Sequence, residues 1–207
     1  GIDFTTGPVG YGLSGAVGMA LGEKYYQSLL SKYVKNQKLV NHYIYCLVSD
    51  GDIESGLLTE AASLAGLYNL GNLIVLYDSN GMTGDNTLDK SSTDDVLKKF
   101  SSMGWQTDYV AEGSSVDKID KAIKRAKRVL NKPSFIEIKT VIGKDSFNQN
   151  TNIVHDHALT KVDLENIKRK YGFSTEKFVV DDKILDKYRK DLIKRVGKAY
   201  KLWCEYN

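Results

Sequence analysis

Four short runs rich in β-branched and aromatic residues recur along the chain, at 43–49 (YIYCLVS), 72–78 (NLIVLYD), 105–110 (WQTDYV) and 134–140 (SFIEIKT). Around them the apolar spacing becomes helical, over 12–36, 57–69, 93–103 and 115–131. Parallel strands need a crossover of a dozen or more residues, usually a helix, so this alternation leaves few arrangements open. The first two runs are almost continuously apolar, which predicts strands covered on both faces. The fold class expected is α/β: a doubly wound, mainly parallel sheet flanked by helices. In the second helix Ala61, Leu64, Ala65 and Tyr68 are expected to share one apolar face. From Lys161 onward the pattern is helical and ends in an amphipathic segment carrying Leu185, Tyr188, Leu192, Val196, Ala199 and Trp203. The organisation expected is a domain over 1–160 and a helical extension over 161–207, leading toward a following domain.

A chain of 207 residues can bury one good core. The net charge of +3 is small, and its lysines are spread over helix faces. In 117–130, for example, Ile119, Ile123, Ala126 and Leu130 form the apolar stripe and the basic residues lie opposite. No aromatic and basic platform accompanies them, so no nucleic-acid role is expected. Cys46 sits in an apolar strand and Cys204 in the last helix; both are expected to be buried thiols in a reducing compartment. The sequence shows no charged-then-apolar leader and no apolar run near 18 residues, which predicts a cytoplasmic, soluble protein without a membrane role. It begins at Gly1, almost directly in a glycine loop, as though an upstream portion were missing.

That loop contains Gly10, Gly12 and Gly15 in the spacing G-x-G-x-x-G. A dinucleotide fold would need a buried strand before the glycines and a ribose-binding acid about 20 residues on. Residues 1–6 are too short and polar for that strand, and the next strand-like run starts roughly twice too far away. A helix pattern does begin at the glycines, and whether they make only a turn into it is decided by the rest of the chain.

In doubly wound sheets ligands sit where loops leave the carboxyl ends of strands. Two such loops are rich in oxygen donors, SDGDIESG at 49–56 and DSNGMTGD at 78–85. Asp50 and Asn80 are one βαβ step apart and can stand together at one sheet edge. A carboxylate, an amide oxygen and a loop carbonyl are hard donors suited to Mg²⁺, with phosphate oxygens and water completing the shell. Gly51 would let a diphosphate approach the backbone. An EF-hand fails for both loops. Counted from Asp50, positions six and twelve are Ser55 and Ala61; from Asp78 they are Thr83 and Asp89, without the required glycine and glutamate. The remaining alternative is that these acids only turn loops and cap helices.

With Asp50-Gly51 followed by Asn80 in LGNLIVLYDSN, the chain resembles transketolases, whose thiamine-diphosphate signature holds Mg²⁺ with such an Asp and Asn. The likeness extends through TTGPVGYGLSGAVGMALGEK, DGDIESGLLTEAASLAGLYNLGNLIVLYDSNGMTGD, TDDVLKKFSSMGWQTDYVAEG, KPSFIEIKTVIGKDS and LWCEYN. The resemblance implies the thiamine-diphosphate-binding fold. It makes Asp50, Asn80 and the Met82 carbonyl ligands of Mg²⁺, or of Ca²⁺ or Mn²⁺. Gly51, Asn80, Ile142 and His155 would touch the diphosphate, and Gly7, Pro8 and Val9 would line the thiamine ring. His155 would also act as a catalytic donor or acid–base partner, and Glu60 would join a proton relay across a dimer interface. The implied activity is transfer of a two-carbon ketol unit between sugar phosphates, as in the pentose phosphate pathway. The implied partners are a pyrimidine-binding domain or subunit and a second copy or other chain, in a homodimer or heteromer.

The sequence also departs from the family pattern. Ser49, Val9 and Tyr11 replace the family's Gly, Leu and Gln; Ser55 replaces a relay glutamate, with Glu54 beside it as an imperfect substitute; and Asp156, His157 and Ala158 follow His155 where a glycine and a proline are usual. Transketolases carry further residues before this start and two domains after it, so the chain is expected to be a partial cofactor-binding domain. It would be incomplete without those parts. The alternatives are another thiamine-diphosphate enzyme, such as 1-deoxyxylulose-5-phosphate synthase or a decarboxylating ketoacid dehydrogenase, and a non-catalytic binding remnant.

Overall fold

The computed structural model describes residues 2–32, 40–84 and 86–204. Four strands, β1 (Ile44–Ser49), β2 (Leu73–Ser79), β3 (Gln106–Val110) and β4 (Ser134–Lys139), form a sheet of order β1-β2-β4-β3 in which every pair is parallel. The helices are α1 (Tyr11–Ser31), α2 (Asp50–Ile53), α3 (Gly56–Leu67), α4 (Val96–Ser102), α5 (Val116–Ala126), α6 (Ile153–Asp156), α7 (Lys161–Lys170) and α8 (Asp182–Cys204). All four expected strands and the helices between them are present within a few residues. The expected end of the first helix, at 33–36, lies outside the described residues.

The chain divides into two compact units. One comprises residues 1–25 and 42–159 and holds the sheet; the other comprises 26–41 and 160–207.

In the sheet unit, α1, α3 and α4 cover one face. Val48, Val75, Tyr77 and Phe135 meet Leu13, Leu58, Phe100 and Trp105 there. Phe100 stacks on Phe135 at 3.7 Å between ring centroids, and Trp105 meets Phe100 edge-on at 5.2 Å. Fully burying each such ring contributes roughly 1.5–3 kcal/mol. On the other face α5 lays Ala122 and Ala126 over Ile74, Val110, Ile136 and Ile138.

Two expectations about burial are corrected. Strand β1 is covered on one face only: Ile44, Cys46 and Val48 are buried, whereas Leu47 is 72% exposed and Tyr45 is exposed too. Among the described residues β1 is the margin of the sheet, and α5 sits over β3 and β4, so the far side of β1 lacks a cover. In α3 the buried line is Leu58, Ala62, Ala65 and Gly66, while Leu64 and Tyr68 face outward. Close approach decides this. The Gly66 Cα lies against the loop before β3, where an added Cβ would meet the Met103 carbonyl oxygen at 1.8 Å, and Trp105 Nε1 donates to the Ala62 carbonyl at 2.8 Å. Only the small-residue face of α3 fits so near a backbone.

In the second unit, α7 is capped by Thr160, whose Oγ1 accepts from Asp163 N at 3.1 Å. Along α8, Leu185 and Leu192 are half-buried and Tyr188 and Val196 exposed. Cys204 is exposed, not buried as expected. It stands twelve residues beyond Leu192, about a third of a turn off the shielded line.

Candidate active site

Parallel register places the functional loops side by side. Ser49 pairs with Asp78, so the residues that follow β1 and β2 leave the same rim of the sheet. Asp50 is fully buried there. Its Oδ2 accepts from the backbone N–H groups of Asn80 at 3.0 Å and Gly81 at 2.9 Å, and its Oδ1 accepts from the Tyr77 hydroxyl. A buried carboxylate is tolerated only when so bonded. Burial, and then the bond to Asp50, keep the Tyr77 phenol protonated far above its usual range. Asn80 turns its Oδ1 toward its own loop, accepting from Met82 N at 2.9 Å, and Gly81 makes the bend with φ of 76°. The Met82 carbonyl accepts no backbone hydrogen bond among the described residues.

A second carboxylate ties the glycine loop to this rim. Asp52 Oδ1 accepts from Gly10 N at 2.7 Å, and Oδ2 accepts from Ser49 N at 2.9 Å and Ser49 Oγ at 3.0 Å. Gly10 has φ of 80°, and an added Cβ would lie 2.3 Å from Ser55 Oγ, so only glycine fits between the two loops. Val9 Cγ1 lies 3.9 Å from where a Cβ of Gly51 would stand, and Gly7, Pro8 and Val9 are exposed. Below the rim, the Cys46 thiol is pushed up to about 12 by burial and then by the charge of Asp52.

The loop after β4 supplies the third side. Thr140 Oγ1 donates to Asp78 Oδ1, tying the end of β4 to that of β2. The Ile142 carbonyl accepts from Asn150 N at 2.9 Å, closing a turn that carries the chain back to α6. His155 is partly exposed on α6, with its Cε1 4.0 Å from where a Cβ of Gly84 would be. Its Nδ1–H donates to Asp156 Oδ1 at 2.8 Å, which leaves Nε2 for another partner. Asp50, Gly51, Asn80, Met82, Val9 and His155 thus lie on neighbouring segments, with His155 near Gly84. Glu60 does not join them. It is exposed on α3 without a side-chain hydrogen bond or ion pair among the described residues. Glu54, next to Ser55, has its carboxylate accepting from Ser91 Oγ at the exposed rim.

No group of three or more His, Cys, Asp and Glu side chains gathers as a metal site among the described residues. A cation here would draw on one carboxylate, one amide and a main-chain oxygen. No helix is long and apolar enough to cross a membrane among these residues.

Residues 1–206 match the family described as transketolase, thiamine diphosphate binding domain. The chain belongs to that family. The transketolase of Staphylococcus epidermidis is 40% identical over 206 residues, and transketolase 1 of Saccharomyces cerevisiae is 38% identical over 206. Each alignment covers 98% of this chain and 30% of the relative. A solved transketolase from Leishmania mexicana superposes with a TM-score of 0.92 at 35% identity, over 99% of this chain and 30% of that one. A variant transketolase from Pichia stipitis gives 0.92 at 32% identity, also over 99% of this chain and 30% of that one. The chain therefore spans about 30% of the length of the relatives it matches. The dinucleotide and EF-hand alternatives fall with this result.

Among this family member's polar contacts, three were not anticipated. Tyr77 was hidden by its place in an apolar strand, although it lies next to Asp78, which pairs with Ser49. Asp52 had left a signal, since Ser49-Asp-Gly-Asp52 has the spacing of a helix cap whose third residue reaches back to the first. The Thr140 to Asp78 bond joins residues 62 apart and left no local trace.

Proposed function

We propose that the chain binds thiamine diphosphate with Mg²⁺ and forms the diphosphate-holding part of a transketolase-type site. The observation that carries this is the Asp50 carboxylate, buried at the rim and bonded to the backbone of the facing Asn80-Gly81 turn. The donor set fits a divalent cation. A carboxylate has about four acceptor positions, and three protein donors use three of them. The Asn80 Oδ1 keeps a second lone pair, and the Met82 carbonyl accepts no backbone hydrogen bond among the described residues. Such hard oxygens suit Mg²⁺, and equally Ca²⁺ or Mn²⁺. Gly51, Asn80, Ile142 and His155 would contact the diphosphate, and Gly7, Pro8 and Val9 the thiamine ring.

Bound thiamine diphosphate supplies the nucleophilic carbon of the two-carbon ketol transfer between a ketose phosphate and an aldose phosphate. The protein's share is placement and proton handling. Asp50 fixes the turn that carries Asn80 and Met82, and Val9 closes over Gly51. His155, with Nδ1 engaged by Asp156, offers Nε2 to a sugar hydroxyl. In this reading residues 1–160 form the cofactor domain and 161–207 an extension. A pyrimidine-binding domain or subunit, and a homodimer or heteromer that engages Glu60, complete a cytoplasmic enzyme of sugar-phosphate metabolism. Ser55, standing where the family has an acid, favours a second reading in which the chain holds the cofactor without turnover.

Calorimetry tests the proposal. Titrating thiamine diphosphate with Mg²⁺ should show metal-dependent uptake that Asp50→Ala abolishes. A folded protein that takes up no cofactor would refute it. Sugar-phosphate turnover with and without a co-expressed pyrimidine-binding partner separates the two readings.

A further inference from the structure

We infer that Asp52 is a positioning residue that pre-assembles the cofactor cradle by holding the Gly10 end of the glycine loop against the rim before any ligand arrives. The inference rests on the reading of Asp50, Gly51 and Val9 as parts of that cradle.

The contacts run in one chain. Asp52 Oδ2 takes both donors of Ser49, which fixes its carboxylate with respect to the end of β1. Its Oδ1 then takes the N–H of Gly10, 42 residues away in sequence. Gly10 lies immediately before α1, with φ of 80° and the Ser55 hydroxyl 2.3 Å from where an added Cβ would stand. The residue before it is Val9, whose Cγ1 flanks Gly51. One carboxylate thus spans β1, α2 and the glycine loop. Residues 2–10 form no helix or strand of their own, so a bonded Gly10 N–H removes freedom that the cofactor would otherwise have to freeze. The chemistry demands an acid. Both oxygens of Asp52 face N–H groups, so an amide could satisfy one side only, its NH₂ pointing at the other donor.

The test uses the full chain in two measurements. Hydrogen exchange followed by NMR, without cofactor or metal, reads the Gly10 amide against the amides of Leu13 to Ala20 in α1. Calorimetry at saturating Mg²⁺ reads thiamine diphosphate affinity. In Asp52→Ala the Gly10 amide should lose its protection while the helix keeps its own, and the dissociation constant should rise roughly ten- to a hundredfold, the range of one charge-assisted hydrogen bond. Asp52→Asn, nearly the same in shape, should move both readouts in the same direction and serves if the alanine variant does not fold. Unchanged Gly10 exchange in both variants overturns the inference. So does unchanged affinity beside a deprotected Gly10 amide, when the unmodified protein binds cofactor and Asp50→Ala does not. If the unmodified protein binds no cofactor while its Gly10 amide is protected through Asp52, the functional reading fails and takes the cofactor part of the inference with it.

Discussion

Tyr77→Phe isolates the support beneath the proposed metal ligand. Tyr77 is 1% exposed, and its ring packs on Phe135 with centroids 5.7 Å apart, a contact that phenylalanine retains. What is lost is the hydroxyl that donates to Asp50 Oδ1. Asp50 is itself fully buried, and its two backbone donors both serve Oδ2, so no other protein donor among the described residues reaches Oδ1. Removing a hydrogen bond to a buried charge costs about 1.5–3 kcal/mol. For a chain of this size about 2 kcal/mol corresponds to a fall of roughly 4–8 °C in Tm. Thermal and urea unfolding of the ligand-free protein measure it. The same substitution in an Asp50→Ala background should be close to neutral, because the hydroxyl there has already lost that acceptor. A loss below about 0.5 kcal/mol, or equal losses in both backgrounds, would refute the claim that Tyr77 and Asp50 act as a pair.

Alkaline pH should weaken the fold through Cys46. Its folded-state pKa is raised, from 9.0 to about 12, so the unfolded chain sheds the proton first and stability falls as pH climbs through that window. The full effect is on the order of 4 kcal/mol, of which about two-thirds is expressed by pH 11, and Cys46→Ala should remove that part from urea melts compared at pH 8 and pH 11. A thiol reagent at pH 8 should label Cys204, which is exposed, within the mixing time and Cys46, which is buried, only on unfolding; two equally fast thiols would contradict the structure. Gly66→Ala should destabilise by at least about 3 kcal/mol in denaturant, since its methyl would meet a backbone carbonyl at 1.8 Å that no side-chain rotation can clear.

The sheet was legible because strand and helix periods are local. Each run from YIYCLVS to SFIEIKT declares itself within seven residues, and parallel pairing follows from the helices between them. Which face of an element is buried is not local. Leu64 and, at its end, Tyr68 are bulkier than Ala62 and Gly66, yet it is Ala62 and Gly66, with Leu58, that turn inward, because Trp105 and the Met103 carbonyl approach from a loop some forty positions away. The same distinction separates the two halves of the site. Asp50 and Asn80 could be joined from sequence because one βαβ step fixes their separation, and the register then brings the Asp50 carboxylate to the Asn80 backbone.

The glycine loop obeys no such repeat. Its spacing satisfies a dinucleotide pattern and its surroundings do not, and what locates it is a single side chain, Asp52, that the spacing of the loop never mentions. Gly10 has the left-handed φ and Asp52 the acceptor, and neither residue explains its partner alone. A rim assembled this way draws its orientation from carboxylates bonded to backbone N–H groups, so a substitution that keeps size and removes charge tests it more sharply than one that removes bulk.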